Sequence, residues 1–290
     1  MVKIGRSTVG NGAPTYMIAE IGINHNGSLD TAKELIAVAA EAGFNAVKFQ
    51  KRTIEVVYSE SELSQPRPNV FGETNGDLKR GLEFGKEDYT QIAKLSMDLG
   101  LDWFASPWDL QSVEFLEDLG VSAHKVASAC LTNRKLLERL AQTGKTIFLS
   151  TGMSTMNQIK NAVEFFDPNL LVLMHTVSVY PASLEQLNLS WIAELKKEFP
   201  KLPIGYSGHE TSVMPSVIAV AKYGAVCVER HITLDRAMWG SDQAASLEPD
   251  GMRRVVRYIR SLPLIDGKGK KRVLEEEISI QRKLRRVSDF

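Results

Sequence analysis

Glu229, Arg230 and His231 close a short apolar run at 226–228 and put three polar side chains at its C-terminal end. A Gly-Ser-Asp turn at 240–242 follows, where a loop carrying Asp242 can fold back over them. The same design, an apolar strand with a polar tip, recurs along the chain. In order the tips are Glu20; Lys48 and Gln50; Ser106; Lys125 and Ser128; Ser150 and Thr151; His175; Ser207 and His209; and Glu229 with His231. Strand ends approach solvent and are polar for that reason alone. Two lysines, two histidines and two glutamates converging on one mouth exceed that plain expectation.

Lys48 and Lys125 stand two strands apart, inside the apolar runs AVKF and HKVA, so both can face one cavity. Two ammoniums with serine hydroxyls and backbone N–H groups make a pocket for a phosphate or carboxylate. Either lysine could instead form a Schiff base, or simply pair with a neighbouring carboxylate. His209 and His231 fall on adjacent strands. Two imidazoles make an open metal site that water and substrate oxygens complete, suited to activating a substrate. No HxxxH-type spacing reinforces the pair. His175 is a third ligand or a core histidine. His25 and His124 read as loop or helix-facing groups without a chemical role.

These tips need strands to carry them. Residues 3–9 read as a small β-hairpin that plugs one end of the fold. Residues 16–21 form the first strand and 28–42 the first helix, with Ser28 as N-cap and Gly43 as stop. Residues 46–49 form the second strand. A long polar excursion, 51–86, then carries Gln-Pro-Arg-Pro at 65–68, and such excursions in compact domains are usually functional loops. From there helices at 87–99, 110–119, 133–142, 155–165, 184–198 and 212–223 alternate with strands at 102–105, 124–127, 146–149, 170–174, 203–206 and 226–228. Glycines 100, 120, 144 and 224 sit where helices end. The period is that of βα units, and eight strands close most simply as a (β/α)8 TIM barrel. Residues 252–262 read as a last helix. The expected division is a barrel domain, 1–265, and a C-terminal basic and helical extension, 266–290.

Apolar content of 43% and charged content of 24% over 290 residues suit a globular protein with a sizeable core. Thirty-five basic residues balance 35 acidic ones, which argues against nucleic-acid binding. Cys130 and Cys227 sit in apolar, strand-like context and read as reduced thiols, hence a cytoplasmic expectation. No signal peptide is visible at the N-terminus, and no apolar run is long enough for a bilayer.

The ordered segments IAEIGINHNGSLDTAKELI, AVKFQ, FASPWD, KVASA, LSTGMST, HTVSVYP, IGYSGHE and VERHITLDR…GSDQAASLEP resemble the sialic acid synthases. The resemblance runs from about residue 3 to residue 287. It implies a transferase of carbohydrate biosynthesis that joins phosphoenolpyruvate to the open-chain aldehyde of N-acetylmannosamine or a related 2-acetamido sugar. The products would be a nonulosonic (sialic-type) acid and phosphate. It further implies a divalent metal, manganese before magnesium or cobalt, on His209 and His231. Lys48, Lys125, Ser128 and Ser207 match groups that hold phosphoenolpyruvate, with Ser106 and Ser150 beside them. Glu20, Gln50, Tyr180 and Asp242 match groups at the aldehyde, the metal or the acceptor, with Ser178 and Glu229 in the same wall. Glu20 is the candidate for handling the proton of the attacking water or of the alkoxide.

Three departures from the family pattern fall on the sugar side. Relatives continue into an antifreeze-like domain whose arginine reaches the partner subunit's sugar site, whereas Phe290 stands about where that linker would begin. A sugar-binding glutamate after the KxxSx motif is Cys130 here, and an asparagine two residues before Tyr180 is Ser178. The excursion at 51–86, Met238, Trp239 and Trp108 are expected to shape the acceptor pocket. A homodimer is implied by the resemblance, resting here on barrel faces or the arm at 273–290. Two alternatives are a Schiff-base aldolase on the same barrel and a non-catalytic barrel that needs a separate antifreeze-like partner protein.

Overall fold

The computed structural model describes residues 1–10 and 12–287; the last three positions of the expected extension, 288–290, lie outside the described residues. Eight parallel strands close into a barrel, so the (β/α)8 architecture read from the period is the fold. The strands are Tyr16–Gly22 (β1), Ala46–Lys51 (β2), Asp102–Pro107 (β3), Ala123–Val126 (β4), Thr146–Ser150 (β5), Leu171–Thr176 (β6), Ile204–Gly208 (β7) and Cys227–His231 (β8). The last pairs with the first, which completes the ring. The outer helices are Leu29–Ala42 (α1), Lys86–Asp98 (α2), Leu110–Asp118 (α3), Arg134–Ala141 (α4), Met156–Val163 (α5), Trp191–Glu198 (α6), Met214–Ala221 (α7) and Pro249–Asp266 (α8).

Local chemistry sets the boundaries. The Ser28 hydroxyl accepts from the Thr31 N–H, and Gly43, at φ 87°, stops α1 in a left-handed cap. One expected helix is broken. Asn188 sits at φ 43°, a conformation no α-helix passes through, so 184–198 becomes a single 3-10 turn, Leu184–Gln186, followed by α6.

Side chains alternate along a strand. Counted back by twos from the polar tips, Ile18, Phe104, Phe148, Met174 and Cys227 point inward, all fully buried. Phe104 and Phe148 stack at 5.2 Å. This apolar layer is the floor of the polar mouth. The N-terminal hairpin, Val2–Ile4 with Ser7–Val9, buries Val2, Ile4 and Val9, and the Lys3 carbonyl accepts from the Thr146 hydroxyl at 2.8 Å. Thr146 begins β5, so the hairpin covers the end of the barrel opposite the tips.

The excursion after β2 is not a bare loop. It holds two short helices, an antiparallel pair Pro66–Asn69 with Gly72–Thr74, and a helix Asn75–Gly81. Glu83 accepts from Lys51 Nζ at 3.1 Å and from the Arg52 N–H at 3.2 Å, which ties its two ends together. Phe71 presses so closely on Gly81 that a Cβ there would lie 2.2 Å from the ring. The same ring meets Trp239 edge-on at 5.9 Å.

By compactness the chain divides into Met1–Arg260, which contains the barrel, and Ser261–Phe290. In the second unit the helix Glu275–Leu284 leaves Ile280 and Leu284 exposed. Among the described residues no helix is long and apolar enough to cross a membrane.

Candidate active site

Strand register brings the tips level. His231 pairs with Glu20, Glu20 with Lys48, Gln50 with Ser106, Thr176 with Ser207, and Ser207 with Glu229. A cavity of about 230 Å³ opens there. It is lined by Glu20, Lys48, Gln50, Ser106, Lys125, Ser128, Ser150, Ser178, Tyr180, Ser207, His209, Glu229 and His231. Of the residues matched to the chemistry in the sequence, all share one chamber except Asp242; the strand tips Thr151 and His175 do not line it. Asp242 stands just behind its wall, with Oδ2 3.8 Å from His231 Nδ1. A roomier groove of about 570 Å³ lies between α4 and α5, outside the barrel, where Leu131, Leu137, Ala162 and Phe165 alternate with polar residues such as Arg134, Gln158 and Glu164.

The lysines of the expected anion pocket already have carboxylate partners. Lys48 Nζ lies 2.7 Å from Glu20 Oε2 and 3.7 Å from Glu229 Oε1, and donates to Ser106 Oγ at 3.1 Å. Lys125 Nζ donates to Glu229 Oε1 at 3.3 Å, and Ser207 donates to the same oxygen at 3.2 Å. The plain pairing and the cavity role therefore coexist. All four ionisable groups are at most 3% exposed, so their charges act through little water.

Their surroundings drive the two carboxylates apart. Burial opposes ionisation of both. For Glu20 burial prevails over the single close ammonium of Lys48, and its pKa is raised. For Glu229 the ammoniums of Lys125 and Lys48 together overcome burial and hold its pKa low. Lys48, burdened by burial but flanked by both carboxylates, keeps its proton more firmly than a free lysine. Lys125 is loosened by burial, only partly countered by Glu229. Carboxylates split in this way divide naturally into a fixed anion and a proton-exchanging group.

His209 and His231 face each other with ring centroids 5.3 Å apart, both 4% exposed. His209 Nδ1 lies 2.6 Å from the Val177 carbonyl. A carbonyl only accepts, so Nδ1 carries the proton and Nε2 keeps a free lone pair. Burial, aided by His231, lowers the His209 pKa to about 3 and keeps the ring neutral. His231 Nδ1 is buried without a hydrogen-bond partner. Tyr180 lies over His209 at 4.0 Å and meets His231 edge-on at 5.8 Å. Among the described residues no set of three or more His, Cys, Asp or Glu side chains is placed to hold a metal ion.

β8 also exposes a design feature between the imidazoles. Arg230 points outward, is fully buried, and meets Glu210 at 2.9 Å and the Ser212 carbonyl at 2.9 Å. This clamp ties the segment after His209 to the strand that carries His231.

Some assignments change. His175 faces the helices: Nε2 lies 2.8 Å from the Leu187 carbonyl and the ring packs by Tyr206, so it is a core histidine and no metal ligand. The next residue, Thr176, lines the mouth instead and hydrogen-bonds Ser150 at 3.1 Å. Alternation along β6 was the signal for it. Thr151 turns away and donates to the Met174 carbonyl. His124 reaches Glu117 of α3 at 2.7 Å, as a helix-facing group does. Met153, at φ 57°, and Trp108 also line the cavity. Burial pushes the Cys130 thiol up to about 11, so it stays protonated.

Comparison with known proteins adds an independent line. The NeuB family matches residues 35–271. Human N-acetylneuraminate-9-phosphate synthase is 41% identical over 95% of this chain and 78% of its own length. N,N'-diacetyllegionaminic acid synthase of Legionella pneumophila is 34% identical over 96% of this chain and 80% of its own. The crystal structure of an N-acetylneuraminic acid synthetase from Leptospira borgpetersenii, solved with citrate, superposes with a TM-score of 0.83 at 32% identity, covering 99% and 98% of the two chains.

Proposed function

Since the chain belongs to the NeuB family, we propose that this barrel mouth condenses phosphoenolpyruvate with the open-chain aldehyde of an N-acetylated amino sugar. The product is a nonulosonic, sialic-type acid, and phosphate is released. The observation that carries this reading is the joint placement of two lysines and two facing imidazoles in one chamber.

Lys48 and Lys125, with Ser106, Ser128, Ser150 and Ser207, hold the carboxylate and phosphate of phosphoenolpyruvate. Their fixed positions align its C3 with the aldehyde carbon. His209 and His231 hold a divalent ion of the manganese class, with Asp242 beside His231. Such an ion, when bound, polarises the aldehyde oxygen as a Lewis acid. C3 of phosphoenolpyruvate bonds to the aldehyde carbon, and water adds to the electron-poor C2. Glu20 takes the proton that water gives up and returns it to the new alkoxide oxygen. The hydroxyl on the tetrahedral C2 then passes its proton to the departing phosphate oxygen as the C2–O bond to phosphate breaks, leaving the keto acid and hydrogen phosphate. Glu229 stays ionised and steadies both lysines. Gln50, Ser178 and Tyr180 face the acceptor.

The test is phosphate release with phosphoenolpyruvate, a panel of N-acetylated hexosamines and their 6-phosphates, with and without manganese. Release is expected only with all three components. The His231→Ala variant should keep its circular dichroism but lose both turnover and manganese binding read by electron spin resonance. Full activity in that variant, or indifference to a chelator, defeats the metal assignment. A pyruvate adduct trapped on Lys125 by borohydride would instead indicate a Schiff-base aldolase.

A further inference from the structure

Behind the imidazole pair, between β7, β8 and α7, lies a buried polar cluster that the condensation chemistry does not use. Arg230, fully buried, directs its guanidinium at the connection from β7 to α7. Nη1 lies 2.9 Å from Glu210 Oε1 and donates to the Ser212 carbonyl and to Ser216 Oγ, each at 2.9 Å. Nη2 donates to the Glu210 carbonyl. Glu210 Oε2 in turn accepts from the Tyr206 hydroxyl at 2.8 Å. The cluster rests directly on the end of β7: a Cβ added at Gly208 would lie 2.5 Å from Glu210 Oε2 and 2.7 Å from the Tyr206 ring. Strand register sets Gly208 opposite Arg230.

These residues interleave with the two histidines. Glu210 follows His209, and Arg230 precedes His231. Alternation turns Tyr206 and Arg230 away from the chamber, while Ser207 and His231 line it. His231 lies within β8, and its carbonyl accepts from the Leu247 N–H at 2.8 Å. His209 is placed differently. It stands just past β7, which ends at Gly208, so the sheet ladder does not fix it. The Val177 carbonyl orients its ring, and the Ala182 N–H donates to its carbonyl at 3.1 Å. Its neighbour Glu210 is gripped by Arg230 through both carbonyl and carboxylate.

Stability alone does not account for such a cluster. Neither Arg230 Nε nor Glu210 Oε1 has a hydrogen-bond partner, so the burial of two charges is only partly offset. An apolar pair of similar volume would fill the space without that penalty. What it would lack is direction. The planar fork binds two backbone carbonyls, a hydroxyl of α7 and a carboxylate at once, and thereby fixes the path of the chain beyond His209. An imidazole must meet a divalent ion at about 2 Å. With no third side chain of ligand type placed to share the ion among the described residues, nothing else compensates for a displaced ring.

We propose that Arg230 and Glu210, braced by Tyr206, are positioning residues for the reaction, holding the turn after β7 so that His209 is aimed at the ion it shares with His231. The proposal rests on the metal assignment made above and extends it to side chains that touch neither ion nor substrate.

Removing one charge would strand its buried partner, so the test variant replaces both, Glu210→Leu with Arg230→Met. Manganese(II) binding is read by electron spin resonance, and phosphoenolpyruvate binding by calorimetric titration without metal. The double variant should fold, should bind manganese about 10- to 100-fold more weakly, and should hold phosphoenolpyruvate as the wild type does. Unchanged manganese affinity, or equal losses for both ligands as a merely structural cluster would give, overturns the proposal. If the double variant does not fold, Tyr206→Phe decides, because it removes one hydroxyl and keeps both charges. Weaker manganese binding with phosphoenolpyruvate binding intact then supports the proposal; wild-type manganese binding, or equal losses, refutes it. A wild type that binds no manganese, or a His231→Ala variant that binds it equally well, defeats the metal assignment and this proposal with it. A wild type that binds manganese but not phosphoenolpyruvate defeats the condensation reading alone. The manganese comparison still decides the clamp in that case, with near-ultraviolet circular dichroism as the control for intact packing.

Discussion

Glu20→Gln separates proton transfer from packing. Glu20 Oε2 faces Lys48 at 2.7 Å, while Oε1 accepts from Gln50 Nε2 at 3.2 Å. An amide has one oxygen, so it can meet only one of these two donors. That leaves a mismatched polar contact, worth about 1–3 kcal/mol. The larger cost of a stranded buried charge, about 3–5 kcal/mol, is avoided. Lys48 still has Glu229 at 3.7 Å and Ser106 at 3.1 Å. The neutral amide also sheds the burial penalty that raises the Glu20 pKa. Net destabilisation at neutral pH should therefore be about 2 kcal/mol or less, a drop in Tm of roughly 4–8 °C at most. Turnover is another matter. Losing a positioned proton carrier costs about 100- to 10 000-fold in kcat, roughly 3–5 kcal/mol of barrier. Because the folded pKa is raised, any stability Glu20 contributes is present below its unfolded pKa and is lost as pH rises through the folded value. The variant should thus gain on the wild type between acidic and neutral pH in urea unfolding. In kcat/KM, the wild type should lose activity as pH falls through that raised pKa, and the variant should lack this limb. Phosphate release and phosphoenolpyruvate titration, run on both proteins, read the outcome. A kcat within about threefold of wild type would refute Glu20 as the proton carrier, far short of the loss expected. So would an identical acid limb.

Gly152→Ala tests the crowding of the mouth: an added Cβ would lie 2.3 Å from Ser178 Oγ and 2.8 Å from Ser128 Oγ, whose oxygen now accepts from the Gly152 N–H. Displacing these serines should lower kcat/KM by about 100-fold with the fold retained, since misplacement near 1 Å has that effect; unchanged kinetics would remove Ser128 and Ser178 from the site. His25 is buried, stacks on Phe84 at 4.0 Å and accepts from the Gly27 N–H, and burial lowers its pKa to about 3. Its depressed pKa means the unfolded chain takes up the proton first, so stability should fall as pH drops from about 6.5 toward 3 by roughly 1.4 kcal/mol per unit. Urea midpoints for His25→Gln should show that slope reduced, and an unaltered slope would contradict the assignment.

Much of this protein is legible in one dimension. Periodicity, the caps at Ser28 and Gly43, and the polar ends of apolar runs are local properties, so strands, helices and the ring of tips follow from residues close in the chain. Alternation even separates Glu229 and His231 from Arg230, and it contained the answer to the His175 and Thr176 exchange. Asn188, by contrast, ends a helix through a backbone angle that amphipathic spacing does not encode.

Distance across the fold is what composition and order leave open. That Glu20 meets Lys48, and that Glu229 is shared by both lysines, depends on strand register between segments far apart in sequence. Because buried charges interact over a few ångströms through little water, those separations, together with burial, set which carboxylate holds its proton more tightly. The excursion at 51–86 reads as polar loop, yet folding it against Trp239 creates a basic notch next to Asp242. Residue types supplied the chemistry; closure of the ring and the return of that segment gave it geometry, because electrostatic free energy is a function of where the charges end up.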